Sequence, residues 1–186
     1  MTRFNTAKLA TAVFIASEAV FFIFLIAAYI YYSGATVHGP NASTSLDPRR
    51  TLIFTICLIA SSGTLWMAER RLAVRQQFAF LMWLIATIVL GAVFIFGQAM
   101  EYIGLISKSI TPARNLFGAT FFTLTGFHGF HVLCGLLALF AVLILNLTRT
   151  VGEKEISGLG AVSMYWHFVD VAWIVIYSLV YLTVWL

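Results

Sequence analysis

The chain has 186 residues, of which 61% are hydrophobic and 10% charged, with a formal net charge of +4. A soluble domain carries roughly 25% charged residues, so this composition excludes a soluble enzyme and points to one integral membrane domain over residues 1–186. The small positive balance comes without a basic patch interleaved with exposed aromatics. It excludes a nucleic-acid partner and reads as topology information.

Five apolar runs meet the length of about 20 residues that a helix needs to cross a roughly 30 Å hydrocarbon core. They cover about 9–32, 51–68, 78–101, 117–147 and 161–185. Backbone groups in lipid must be paired within their own span, so the expected fold is all-α, an integral membrane bundle of five transmembrane helices. The first run is too long for the h-region of a cleavable signal peptide and is read as a retained span. The fourth is long enough to tilt or to project beyond the bilayer.

Ser33 to Arg50 is the one long connection, rich in Gly, Pro, Asn and Ser. It carries His38, read as solvated, and Asn41-Ala42-Ser43, a weak match to a glycosylation acceptor. With the N-terminus cytoplasmic, Arg3, Lys8, Arg70, Arg71, Arg75, Arg149 and Lys154 fall inside. Arg49, Arg50, Lys108 and Arg114 fall outside. That bias predicts a cytoplasmic N-terminus and a C-terminus outside. Trp66, Trp83, Trp166 and Trp185 lie toward span ends, where amphipathic rings often settle. Ser61, Ser62, Gly63, Gly126 and Gly129 are small enough to let helices approach. Cys57 and Cys134 sit inside apolar runs without a C-x-x-C partner and read as packed small residues.

The informative residues are the polar ones inside these runs. Glu18 sits about midway through the first, where a carboxylate costs about 2.5 kcal/mol or more on insertion scales. Gln98 and Glu101 share a face of the third helix, His128 and His131 of the fourth, and His167 and Asp170 of the fifth. Such one-sided pairs face protein or water rather than lipid, so these faces are expected to turn toward the bundle interior or a partner subunit.

Each has two readings. Glu18 either holds helices in register through a histidine or hydroxyl, or takes part in proton movement. The histidines and Asp170 are interhelical hydrogen bonders or proton-linked groups, and Glu101, near its span end, meets head groups or water. A metal or haem centre is disfavoured. The depths spread from midplane to span end, so the set cannot converge on one ion, and the Glu-x-x-His motif of bundle di-iron sites is absent.

The fourth run, Thr123-Leu124-Thr125-Gly126-Phe127-His128-Gly129-Phe130-His131-Val132, and the fifth, Tyr165-Trp166-His167-Phe168-Val169-Asp170-Val171-Ala172-Trp173, carry two signatures in order. Both resemble those of subunit III of the haem–copper oxidases. Ser17-Glu18 with Phe21-Phe22, Ser61-Ser62-Gly63-Thr64 and Gln98-Ala99-Met100-Glu101-Tyr102 agree with the same family. The resemblance runs from about residue 9 to 185. The chain is similar to the short five-helix form, its first span matching the third helix of seven-helix members.

The resemblance implies a non-redox subunit with no catalytic residue, metal, haem or copper of its own. Those cofactors are expected in partner subunits of a proton-pumping terminal oxidase in a bacterial inner membrane. It implies direct packing against the catalytic subunit I, association with subunit II and other respiratory subunits, and a supporting role in proton uptake and subunit I stability. Glu18 would be the family's carbodiimide-reactive buried carboxylate. Phospholipid binding carries over weakly, because half of the family's lipid cleft is formed by the first two helices. Arg149 is a head-group candidate on charge and position alone. A subunit III-like protein associated with nitric oxide reductases is the neighbouring alternative. A stand-alone proton transporter and a membrane metal enzyme are the alternatives from other classes.

Overall fold

The computed structural model describes residues 6–33, 45–148 and 153–182. Five helices follow one another: α1 Thr6–Ser33, α2 Pro48–Ala73, α3 Gln77–Ser107, α4 Leu116–Thr148 and α5 Glu153–Val180. Each includes a stretch long and apolar enough to cross a membrane. The apolar runs underestimate most of these helices. Glu69, Arg70 and Arg71 continue α2 past the apolar run that ends at residue 68, because a helix leaving the bilayer keeps its own hydrogen bonds. The fifth helix is shifted toward the N-terminus relative to 161–185; its regular part ends at Val180, and the Tyr181 N–H still bonds the Tyr177 carbonyl at 2.9 Å.

Local chemistry explains the ends. Asp47 caps α2 by accepting from the Arg50 backbone N–H at 3.2 Å, and Pro48 fills the first helical position, where no donor is needed. Helix α2 closes in a Schellman turn, with Gln76 N–H reaching the Arg71 carbonyl and Arg75 N–H the Leu72 carbonyl, both at 2.9 Å. Helix α3 closes the same way through Ile110 to Leu105 and Ser109 to Ile106. Glycine usually takes the left-handed position of this turn; here Arg75 (φ 57°) and Ser109 (φ 62°) hold it. No glycine or proline marks either turn in the sequence.

Helices α2 and α3 form a tight antiparallel hairpin. Helix α5 packs on α1, α2 and α4, and α4 on α1, α3 and α5. Since lipid is as apolar as leucine, association rests on close packing and interhelical hydrogen bonds. Close packing surrounds Trp166, fully buried in α5. Its ring fills a slot made by Gly91 of α3 and Gly135 of α4, where any Cβ would sit at 2.8 and 2.7 Å from ring carbons. Its indole N–H donates to Ser61 Oγ at 2.9 Å. The interfacial placement expected for Trp166 is therefore wrong: a glycine pair on two other helices makes room for it in the core. Trp66 is half exposed beneath the Arg70 guanidinium, 3.5 Å from the ring centroid. Trp185 lies outside the described residues.

The glycines expected to bring helices together also differ. Nothing lies within 4 Å of a Cβ built at Gly63 or Gly129, and Gly126 meets only the Tyr102 hydroxyl at 3.5 Å. Close approach occurs instead at Gly91, Gly135 and Gly97, the last covered by the Phe54 ring. Ser61 and Ser62 do face neighbours, but as hydrogen-bonding groups.

Candidate functional site

The membrane-embedded polar residues fall into three clusters rather than one layer. In the first, α1 meets α4. His131 Nε2 lies 2.9 Å from Glu18 Oε2, and His131 Nδ1 lies 2.7 Å from the Phe127 carbonyl. A carbonyl only accepts, so Nδ1 carries a hydrogen. One further proton then lies between Nε2 and Oε2, giving either an acid beside a neutral imidazole or a carboxylate beside an imidazolium. Both arrangements are net neutral, which suits a site walled by aromatic rings.

The pair forms part of the floor of a cleft of about 570 Å³ between α1 and α4, walled by Phe14, Phe21, Phe127, Phe130 and Tyr165. Its side chains are 21% and 10% exposed for Glu18 and His131. Glu18 therefore bonds within its own chain while keeping an open side.

The second cluster ties α2 to α5. Ser62 Oγ donates to Asp170 Oδ2 and lies 2.8 Å from His167 Nδ1. A hydroxyl has one hydrogen, so His167 donates to Ser62 and Ser62 to Asp170, a chain running in one direction. Asp170 is buried and its Oδ1 finds no protein partner.

The third joins α2, α3 and the end of α5. Glu101 accepts from Tyr181 at 2.6 Å and Gln98 Nε2 at 3.3 Å, and its Oε1 lies 3.1 Å from Thr51 Oγ1. Of the head groups or water expected around Glu101, three side chains from three elements take the place of head groups.

His128 stands apart from its expected partner role. It is fully buried, neither ring nitrogen has a protein partner, and it stacks on Trp173 at 4.7 Å between the edges of Phe94 and Phe22. The Trp173 indole N–H is meanwhile held by Thr55 at 3.0 Å.

Reading the sequence for acids and histidines missed Thr51, Thr55 and Tyr181. The two threonines share the buried face of α2 with Leu58, Ser61 and Leu65, and that spacing of three and four is the signal. Tyr181 continues the buried aromatic stripe of Trp166, Trp173 and Tyr177, its N–H reaching the Tyr177 carbonyl at 2.9 Å, but a stripe of rings does not announce a carboxylate partner. Among the described residues, no three His, Cys, Asp or Glu side chains are grouped to hold a metal ion. Cys57 and Cys134 are free and partly buried. Arg149, His38 and Asn41 lie outside the described residues.

Five long apolar helices joined by these clusters define an integral, multi-pass membrane bundle. The family of cytochrome c oxidase subunit III matches residues 3–185. A cytochrome c oxidase subunit 3 of Corynebacterium diphtheriae is 37% identical over 97% of this chain and 90% of its own length. A cytochrome bo(3) ubiquinol oxidase subunit 3 of Pseudomonas aeruginosa is 31% identical over 91% and 81%. A probable quinol oxidase subunit 3 of Staphylococcus epidermidis is 32% identical over 94% and 88%. The chain belongs to the cytochrome c oxidase subunit III family. Membership makes it a subunit of a haem–copper oxidase, and so a component of a multi-subunit respiratory complex.

Proposed function

We propose that the chain is a non-redox subunit of a bacterial plasma-membrane terminal oxidase that packs directly against the catalytic subunit and supports its proton uptake and stability. Haem and copper belong, in this reading, to partner subunits. The N-terminus lies in the cytoplasm, in keeping with Arg70, Arg71 and Arg75 at the α2–α3 turn.

The observation that carries the supporting role is the Glu18–His131 pair, 2.9 Å apart and part of the floor of an open cleft. A pair that holds one proton between two bases can take up or pass on a proton by rearranging a single hydrogen bond. Its open side gives a neighbouring group access to it. The Ser62–His167–Asp170 chain holds α2 against α5 and keeps the bundle rigid around that pair.

The test is Glu18→Gln in the purified complex. Subunit content and haem content stay at wild-type levels, while the enzyme loses activity several-fold faster under sustained turnover and takes up protons more slowly. Loss of haem, or wild-type turnover lifetime and proton uptake, would sink the reading. Haem or copper absorption from the isolated chain would transfer the redox role to it.

A further inference from the structure

We propose that Glu101 is a proton-exchanging carboxylate served by water from the Asp47–Lys108 end of the bundle. This is a different site from the Glu18–His131 pair, and the proposal holds whether or not Glu18 takes part in proton uptake.

A cavity of about 110 Å³ opens beside Glu101 between the start of α2 and the end of α3. Asp47, Arg50, Thr51, Glu101, Gly104 and Lys108 line it. A water needs roughly 10–15 Å³ of such space and two to four polar partners, so several fit. One polar group beside the carboxylate still lacks a partner. Gln98 is 7% exposed and gives its Nε2 to Glu101, but its Oε1 accepts from no protein group. That acceptor calls for a donor the protein does not supply; Gln98 itself does not line the cavity, and its link to it runs through Glu101.

The hydrogen inventory at Glu101 allows two states at almost no structural cost. Tyr181 and Gln98 both donate to Oε2. Oε1 faces only Thr51, whose Oγ1 is 3.1 Å from Oε1 and 3.1 Å from the Asp47 carbonyl. Thr51 has one hydroxyl hydrogen. When it points to Oε1, Glu101 is a carboxylate with donors on both oxygens. When it points to the Asp47 carbonyl, Oε1 carries the proton and donates it to Thr51. Turning one hydroxyl therefore accommodates gain or loss of the proton. The released proton goes to a cavity water, giving carboxylate and hydronium, and then to bulk water.

The charged and titratable groups facing this site come from each neighbouring element. Asp47 and Arg50 stand at the start of α2, and Lys108 follows α3 and donates to the Ser45 carbonyl at 3.2 Å. Tyr102 lies on α3 and donates to, or accepts from, Thr125 of α4. Tyr181 follows α5, with Tyr29 of α1 beside it. Arg50 and Lys108 against Asp47 leave the mouth polar with one net positive charge, which an ionised Glu101 balances.

The experiment is labelling of the intact complex with a membrane-impermeant carbodiimide and an amine, followed by peptide mass spectrometry. The reagent takes the proton of a carboxylic acid as its carbon bonds the acid oxygen. The amine then displaces the urea and leaves an amide on the side chain. Glu101 should be labelled, with Asp47 at the mouth as the internal positive control. In Gly104→Leu, where a Cβ meets no atom within 4 Å, the new side chain occupies the cavity without a clash at its root. Labelling of Glu101 should then fall roughly tenfold as water loses its space, while Glu18 still reacts with a lipid-soluble carbodiimide.

A second readout does not depend on that variant assembling. An infrared pH titration of the complex should show a carboxyl carbonyl band that is missing in Glu101→Gln. An unlabelled Glu101 beside a labelled Asp47 would overturn the proposal. So would labelling indifferent to Gly104→Leu, or an infrared titration identical in Glu101→Gln.

Discussion

The α2–α5 interface and the α1–α4 cleft use the same kinds of residue for opposite ends. At the first, Trp166 and Trp173 are completely buried, each indole N–H is held by a hydroxyl of α2, and Asp170 is tied down by Ser62. At the second, a carboxylate and an imidazole meet in a cleft with an open side. A polar group with no freedom fixes the position of a helix. A polar group with one satisfied side and one open side remains available to a neighbour. Histidine or glutamate identity alone does not separate the two; the burial of the surroundings does.

That contrast predicts unequal mutational costs. The largest should follow Trp166→Ala. It empties the slot between Gly91 and Gly135 and removes the donor to Ser61 Oγ, which keeps only its bond to the Leu58 carbonyl, at a cost of about 3–5 kcal/mol. The measurement is retention of the subunit during detergent purification, together with thermal aggregation of the complex; wild-type retention would remove the slot from the centre of the fold. Gly135→Leu should do comparable damage from the other wall.

Ser62→Ala ranks next. It leaves both oxygens of Asp170 and Nδ1 of His167 without a side-chain partner, at a cost of about 1–3 kcal/mol. A thermal midpoint equal to wild type would mean that the clamp is ornamental. At the open cleft the stability effect should be smaller. In a cycle of Glu18→Gln, His131→Gln and the double variant, the coupling should be about 0.5–1.5 kcal/mol, since water or head groups can replace a partly exposed partner. The cleft variants should instead show their main effect in proton uptake. If the coupling exceeds the Ser62→Ala cost, the assignment of one region to structure and the other to function is reversed.

How much of this was legible in the sequence depended on the interaction. The five spans were readable because lipid demands long apolar helices. That these polar residues face protein was readable because a carboxylate within lipid has few acceptable surroundings, but their division into three clusters was not. What was not legible is which helix supplies each partner. Trp166 looks interfacial along its own helix; it is core because Gly91 and Gly135, distant in sequence, leave a gap of its size. Tyr181 follows Trp173 and Tyr177 at helical spacing, so its burial was readable, but that its hydroxyl reaches Glu101 of another helix was not. The left-handed Arg75 and Ser109 escape notice because the usual glycine signal is missing.

The smallest expected effect bears on the part of the molecule that faces outward. Gly129 stands in the middle of the histidine signature of α4, yet a Cβ there would meet nothing within 4 Å. Gly63 on α2 is the same. Gly129→Ala and Gly63→Ala should therefore change the stability of the chain by no more than about 0.5 kcal/mol, as for a surface position without special contacts. The informative measurement compares the chain alone in detergent with the assembled oxidase. A substitution that is silent in both leaves that face to lipid. One that is silent in the chain alone but loosens the complex places a partner helix against the glycine, since small residues earn their place where backbones approach. The α4 face beside the Glu18–His131 cleft would then be the seam with the partner subunit, and the open side of the pair would face protein rather than lipid.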